Sequence, residues 1–239
     1  RSATGAGVSA PAAAAGSATA PPLATEQGAK SSELEHSEWC ARIAHNIAAM
    51  LATETSPHVR AAALAALPGL VSTAMRCETS TALTLRPDML AAVRVGSSDT
   101  GAAARTSAAQ TCGALAKLWF TSGEGSTEGG YAALQVVYSL FCDSVADVRS
   151  AGITAAASIA AVAAPCGSAG ASDGTGDSAK FEVLSPAYAT LWRSVAEGAL
   201  VLCADRSEKV RASTYRATGF IAEVLKEDDV VAFQQPLPC

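Results

Sequence analysis

The chain has 239 residues, 49% of them hydrophobic, 5% aromatic and 16% charged, with a formal net charge of −5 and a pI near 5.2. A mildly acidic chain without Lys/Arg runs is poorly suited to hold nucleic acid or an anionic membrane. Its length admits one or two globular domains or one short array of repeats. Abundant Ala and the lack of alternating β-branched residues point to an all-α protein.

Residues 1–36 are Ala, Gly, Ser, Thr and Pro with almost no large apolar side chain. Such a segment buries too little surface to offset its ordering entropy, and it is expected to be a disordered linker. A transit peptide is the rival reading, although only Arg1 precedes Lys30 as a basic residue. No secretory signal is visible, and the first residue, Arg1, reads as that of a fragment or a processed chain.

Ordered structure is expected from Ser37, with Trp39, Ile43, Ile47 and Leu51 on one helical face. Ser56-Pro57 opens a second helix to about Met75, because Pro is favoured in a first turn. The segment 76–85 reads as a polar loop. Pro87 begins a short helix to about Val95, and Asp99 opens its partner, running to about Phe120. A Gly-rich turn at 123–130 leads to an apolar helix from Tyr131 to Cys142 and a partner from Val145 to Ala163. Residues 165–182 form a flexible Gly/Ser/Asp insertion. Ser185-Pro186 starts a helix to Ala204, Ser207 one to Lys226, and residues 227–239 read as a tail leading to a missing next repeat.

One phrase recurs through these helices: an acid, then six residues on an Arg preceded by a small apolar residue. The pairs are Glu54 with Arg60, Asp99 with Arg105, Asp143 with Arg149 and Asp205 with Arg211. The Arg residues are 45, 44 and 62 positions apart, a period near 44 with one insertion about as long as the 165–182 loop. Self-similarity at such a period means stacked supersecondary units. Counted from the residue before each Arg, offsets of 4, 7, 11 and 14 form one face, small at its start and larger later. Each unit is thus a helical hairpin that buries its apolar face against its neighbours. The acids are expected to serve the amino ends of the second helices, and the arginines to reach the neighbouring turn, giving a structural ladder. A phosphate-binding or acidic-peptide stripe is the rival role for these arginines, but each arrives with its own acid.

This pattern resembles the HEAT repeat of the armadillo-type superhelix. The residues that carry the resemblance are Ser56-Pro57-His58-Val59-Arg60 with Leu64 to Pro68, Asp143 through Val148-Arg149-Ser150-Ala151, and Ser207-Glu208-Lys209-Val210-Arg211 with Arg216-Ala217-Thr218-Gly219. It implies an α-α solenoid of about four two-helix repeats, at about 37–75, 86–120, 130–163 and 185–226. Ala104 departs from the pattern, which usually has a larger apolar residue there. The family implies protein-binding scaffolding.

Chemistry is sparse. Cys40 and His45 are five apart and do not share a helical face, so they make a poor nucleophile and base. No cluster has zinc spacing, and Asp173 and Asp177 lack the alternation of a calcium loop. Gly123-Glu124-Gly125 with Gly129 misses the phosphate-loop spacing. Ser168, Ser172 and Ser178 are available for modification. Seven scattered Cys without a CxxC read as buried free thiols of an intracellular protein, cytoplasmic or nuclear. Trp119 and Phe120, at a helix end, are the candidate partner-binding residues. The expectation is therefore a non-enzymatic scaffold with a protein partner, and no cofactor, metal, small-molecule substrate or membrane span. A cargo-carrying adaptor of importin type is the alternative, but it needs an Asn/Trp ladder or an acidic inner face, neither visible here. Nucleic-acid binding through Arg60, Arg105, Arg149 and Arg211 ranks behind both.

Overall fold

The computed structural model describes residues 24–77, 79–120, 126–163 and 186–225, and among these all regular structure is helical, without a strand. The helices are α1 (Ala24–Leu51), α2 (Pro57–Cys77), α3 (Thr79–Thr84), α4 (Arg86–Ser97), α5 (Ala102–Ala114), α6 (Ala116–Phe120), α7 (Ser126–Ser139), α8 (Ala146–Ala163), α9 (Pro186–Leu202) and α10 (Glu208–Val224). A single 3-10 turn, Leu140–Cys142, follows α7.

Four hairpins make two layers. Helix α1 packs on α2, α4 on α5, α7 on α8 and α9 on α10. Across hairpins, α2 packs on α5, α5 on α8 and α8 on α10, while α1 meets α4, α4 meets α7 and α7 meets α9. Each hairpin thus touches its neighbours in sequence through both of its helices. One apolar cluster runs the length of the array, from Cys40 and Ala44 through Leu64, Val93, Cys112, Leu134 and Ile159 to Val210 and Val224. Burial at such spacing is what the small residues permit, because Ala and Gly let helix axes approach closely. At Gly113 an added Cβ would stand 2.9 Å from the Ala155 Cα across the α5–α8 contact.

Several boundaries differ from those read off the sequence. Helix α1 begins at Ala24, within the expected linker. Its opening residues include Ala, Glu, Gln and Lys, which favour helix without requiring a core. The expected polar loop at 76–85 contains α3, because Ala82 and Leu85 reach the apolar cluster together. The helix expected from Asp99 to Phe120 is broken at Leu115 into α5 and α6. There the Trp119 indole Nε1–H donates to the Cys112 carbonyl oxygen, 2.9 Å. That is the acceptor an unbroken helix offers to the amide four residues on. Gly129 and Gly130 lie inside α7 and not in a turn. A Cβ at Gly129 would meet the Arg86 side chain at 2.9 Å, and one at Gly130 would meet the Phe120 ring at 2.8 Å, so both positions need glycine for close packing. Residues 1–23, Gly123 to Gly125, the 165–182 insertion with Asp173, Asp177 and its serines, and the 227–239 tail lie outside the described residues.

No helix among the described residues is long and apolar enough to cross a membrane. Cys40 and Cys112 are buried free thiols, whereas Cys142 is exposed and Cys203 half-buried. The expectation of buried thiols therefore fails at Cys142, the last residue of the 3-10 turn that leads from α7 into the connection to α8.

Candidate interaction surface and its supporting ladder

Short loops before α2, α5, α8 and α10 position the ladder residues. In each loop the acid accepts the backbone N–H two residues on: Ser56 to Glu54 at 2.7 Å, Gly101 to Asp99 at 2.7 Å, Val145 to Asp143 at 2.8 Å and Ser207 to Asp205 at 2.8 Å. The expected contact was with unpaired amides of the helix's first turn. Instead the acid lies three residues before the helix, so its carboxylate folds the loop and bonds the residue immediately preceding the helix.

The arginines then act in two directions. Nη1 of each donates to the backbone carbonyl of the acid in its own loop: Arg60 to Glu54 at 2.6 Å, Arg105 to Asp99 at 2.8 Å, Arg149 to Asp143 at 2.7 Å and Arg211 to Asp205 at 2.8 Å. Nε and Nη2 form a fork on the acid of the next loop. Arg105 holds Asp143 at 2.6 and 3.0 Å, Arg149 holds Asp205 at 2.8 and 2.9 Å, and Arg60 holds Asp99 in the same bidentate manner. Such planar pairs combine charge with fixed geometry.

These pairs are largely removed from water, with side-chain exposure of 13–16% for the arginines and 5–10% for the aspartates. The Arg60 guanidinium holds the Asp99 carboxyl below its usual range despite burial, helped by the Gly101 N–H. Arg149 and the Ser207 N–H do the same for Asp205. At Asp143 burial pushes the carboxyl up, but Arg105 and the Val145 N–H outweigh it and leave the group lowered. Arg60, Arg105 and Arg149 are raised in turn by their aspartates. Arginine groups so engaged, and so covered, have little left to offer phosphate or acidic peptide.

Outside the ladder, the second-helix layer presents a groove of about 360 Å³ between α5 and α8. Thr106 and Gln110 of α5 and Thr154 and Ser158 of α8 line it, with Asp147 and Lys209 at one edge. Lys209 Nζ meets Asp147 at 2.6 Å, in reach of solvent. Gly113 forms part of the floor, where α5 lies close on α8. The walls offer hydroxyls and one side-chain amide.

The candidate partner residues are elsewhere. Trp119 is fully buried, its ring in the apolar cluster and its indole N–H given to Cys112. Phe120 is half-buried and packs at 6.5 Å from the ring of Tyr188, which burial holds above its ordinary titration range. Trp119 presents no free face to a partner, because α6 folds inward against α7 and α8, whereas Phe120 keeps part of its surface open. Cys40 is buried and His45 bonds Asp88 at 3.0 Å on the surface, so the structure does not bring the two together. Among the described residues no group of three or more His, Cys, Asp or Glu could hold a metal ion. Burial pushes the Cys112 thiol up to about 12, which makes it a poor nucleophile.

Two buried polar contacts escape a reading by periodicity. The Thr111 hydroxyl donates to the Leu64 carbonyl at 2.8 Å, and the Ser150 and Ser213 hydroxyls pair at 2.8 Å between α8 and α10. The first had a signal in Pro68, four residues after Leu64; the second had none. Comparison of the chain with protein families, with curated proteins and with solved structures finds no match.

Proposed function

We propose that this chain is a HEAT/armadillo-type α-solenoid of about four two-helix units, and that it works without catalysis as a protein-interaction scaffold. The observation that carries the reading is the repeated joint. Three successive hairpins are locked to the next by the same arginine fork, which leaves the second-helix layer as one continuous surface with the α5–α8 groove at its middle. An array of this kind holds its surface in register while having no chemistry of its own. The partner it suits is a peptide or helix of another protein, bound through backbone and polar contacts to Thr106, Gln110, Thr154 and Ser158.

The test is affinity capture with the wild-type chain and with a Gln110→Arg, Thr154→Arg variant, read by mass spectrometry. Both positions are exposed, so the fold tolerates the change. Proteins retained by the wild type and lost by the variant support the reading. Capture that is identical with wild type and variant removes the groove as the site.

A further inference from the structure

Hydrogen-bond direction gives the α5–α8 groove a chemical sign. Asp147, Thr154 and Ser158 share one face of α8 and line one wall. The Thr154 hydroxyl donates its hydrogen to the Ser150 carbonyl at 2.8 Å, and the Ser158 hydroxyl donates to the Thr154 carbonyl at 3.2 Å. A hydroxyl owns one hydrogen and two lone pairs, so one bonded back to its own helix has only lone pairs left for a ligand. With the Asp147 carboxylate, this wall is a row of acceptors. Gln110, exposed on α5, adds an amide oxygen from the other side. The groove asks for a donor.

Spacing narrows the donor further. Four residues of helix put Thr154 and Ser158 about 6 Å apart along the axis. In an extended chain, N–H groups two residues apart point the same way and lie about 6.6 Å apart. Asp147 stands about 10.5 Å from Thr154 along α8, the reach of about three further extended residues. Among the described residues that line the groove, only Asp147 and Lys209 are charged. Lys209 Nζ is 2.6 Å from Asp147, but the two side chains are 63% and 62% exposed. A pair so open to water is worth little and exchanges partners at little cost.

We infer that the groove takes an extended, arginine-bearing segment of a partner protein. Alternate backbone N–H groups of the segment donate to Thr154 and Ser158, and its guanidinium takes the Asp147 carboxylate from Lys209. Arginine suits this end because it has five donors, no acceptor and a fork that matches a carboxylate. The inference rests on the reading of the groove as a peptide site and adds the chemistry of what fills it.

The probe is the peptide acetyl-Ala-Ala-Arg-Ala-Ala-amide, titrated to about 10 mM into the whole ¹⁵N-labelled chain, a range that reaches millimolar affinities. Saturable amide shifts are expected at Gln110, Thr154 and Ser158. Citrulline in place of arginine, or N-methylation of the alanines, is expected to weaken binding at least about fivefold. Asp147→Asn weakens it as well, whereas Lys209→Ala tightens it, because the carboxylate is then open to the peptide. A purely structural Asp147–Lys209 pair gives no such opposite signs. Citrulline or glutamate peptides that bind as tightly as the arginine peptide overturn the inference, as does an arginine peptide that leaves the groove amides unmoved. If captured proteins are still lost by the Gln110→Arg, Thr154→Arg variant in that event, the groove stands as a site and only its arginine chemistry falls. If capture is also independent of the groove, both readings fall.

Discussion

The hydroxyl of Thr111 in α5 donates to the carbonyl oxygen of Leu64 in α2, 2.8 Å away and out of solvent. In an uninterrupted helix that oxygen accepts the amide of residue 68, but residue 68 is Pro and has no N–H. The neighbouring hairpin supplies the donor that the helix itself lacks. Thr111→Val is expected to destabilise the chain by about 1–3 kcal/mol, the cost of leaving a buried acceptor unmet. In a Pro68→Ala background the amide of residue 68 returns and the same change costs distinctly less. Urea unfolding of the four variants of this cycle measures the coupling, and additive effects would remove the explanation.

Ladder and rim charges are expected to differ sharply in worth. Asp143→Ala strips the Arg105 fork of its partner and frees the Val145 N–H, both largely out of water. A loss of about 3 kcal/mol follows, since a half-buried charge is left without its counterion. Asp147→Ala removes a pair in which both side chains are more than 60% exposed, and it is expected to change stability by less than about 1 kcal/mol. Equilibrium unfolding of both variants, side by side, checks the contrast.

Acid should unlock the ladder. Asp99, Asp143 and Asp205 all have carboxyl groups held below the ordinary value by their arginines and loop amides. Their contribution is present in full above the unfolded-state value near about 4 and is lost as pH falls through the lower folded values. Stability is therefore expected to stay flat from neutrality to about pH 5 and to decline below it. The Asp205→Asn variant starts lower and declines less steeply, by up to one proton per molecule. Unfolding free energy measured at a series of acidic pH values gives both slopes, and parallel curves would count against the assignment.

Glycine positions divide by what surrounds them. Gly113 has the Ala155 backbone 2.9 Å from where a Cβ would sit, so Gly113→Ala pushes α5 off α8 and is expected to cost about 1–3 kcal/mol. Gly69 and Gly219 lie inside helices with nothing within 4 Å, and Ala at either is expected to stabilise by about 0.5–1 kcal/mol. Thermal unfolding distinguishes the two signs.

Thiol labelling should follow burial. Cys142 is exposed and is expected to react with iodoacetamide in the native chain. Cys112, out of solvent and with its thiol pushed up to about 12, reacts only on unfolding. Peptide mapping after a timed pulse reports both. Early modification of Cys112 would mean that the α5–α7 contact opens readily.

Helical content and hairpin pairing follow from the Ala-rich apolar spacing and from the acid-to-arginine phrase, because both depend on contacts within one unit or its nearest neighbour. The interior reading of the small residues at offsets 4 and 7 holds in the last three units and fails in the first, where Ala66 is exposed and Ala63 half-buried. Two features needed partners far away in sequence. Thr111 is an ordinary helix residue until Leu64 lies beside it, and Ser150 gains its meaning only from Ser213. Trp119 stands at a helix end, where an aromatic side chain reads as exposed; the break at Leu115 turns it inward instead. The groove is likewise invisible along the chain, since its walls are ordinary threonines and serines from two helices.

Arg149 and Asp205 meet as closely as Arg105 and Asp143 do, although 56 residues separate the first pair and 38 the second. The joint is indifferent to how much chain runs between its two halves. For protein engineering, the stretch between α8 and α9 is therefore a natural socket. A reporter domain or an epitope spliced there adds to a separation that already differs between joints, and the Arg149–Asp205 pair is expected to persist.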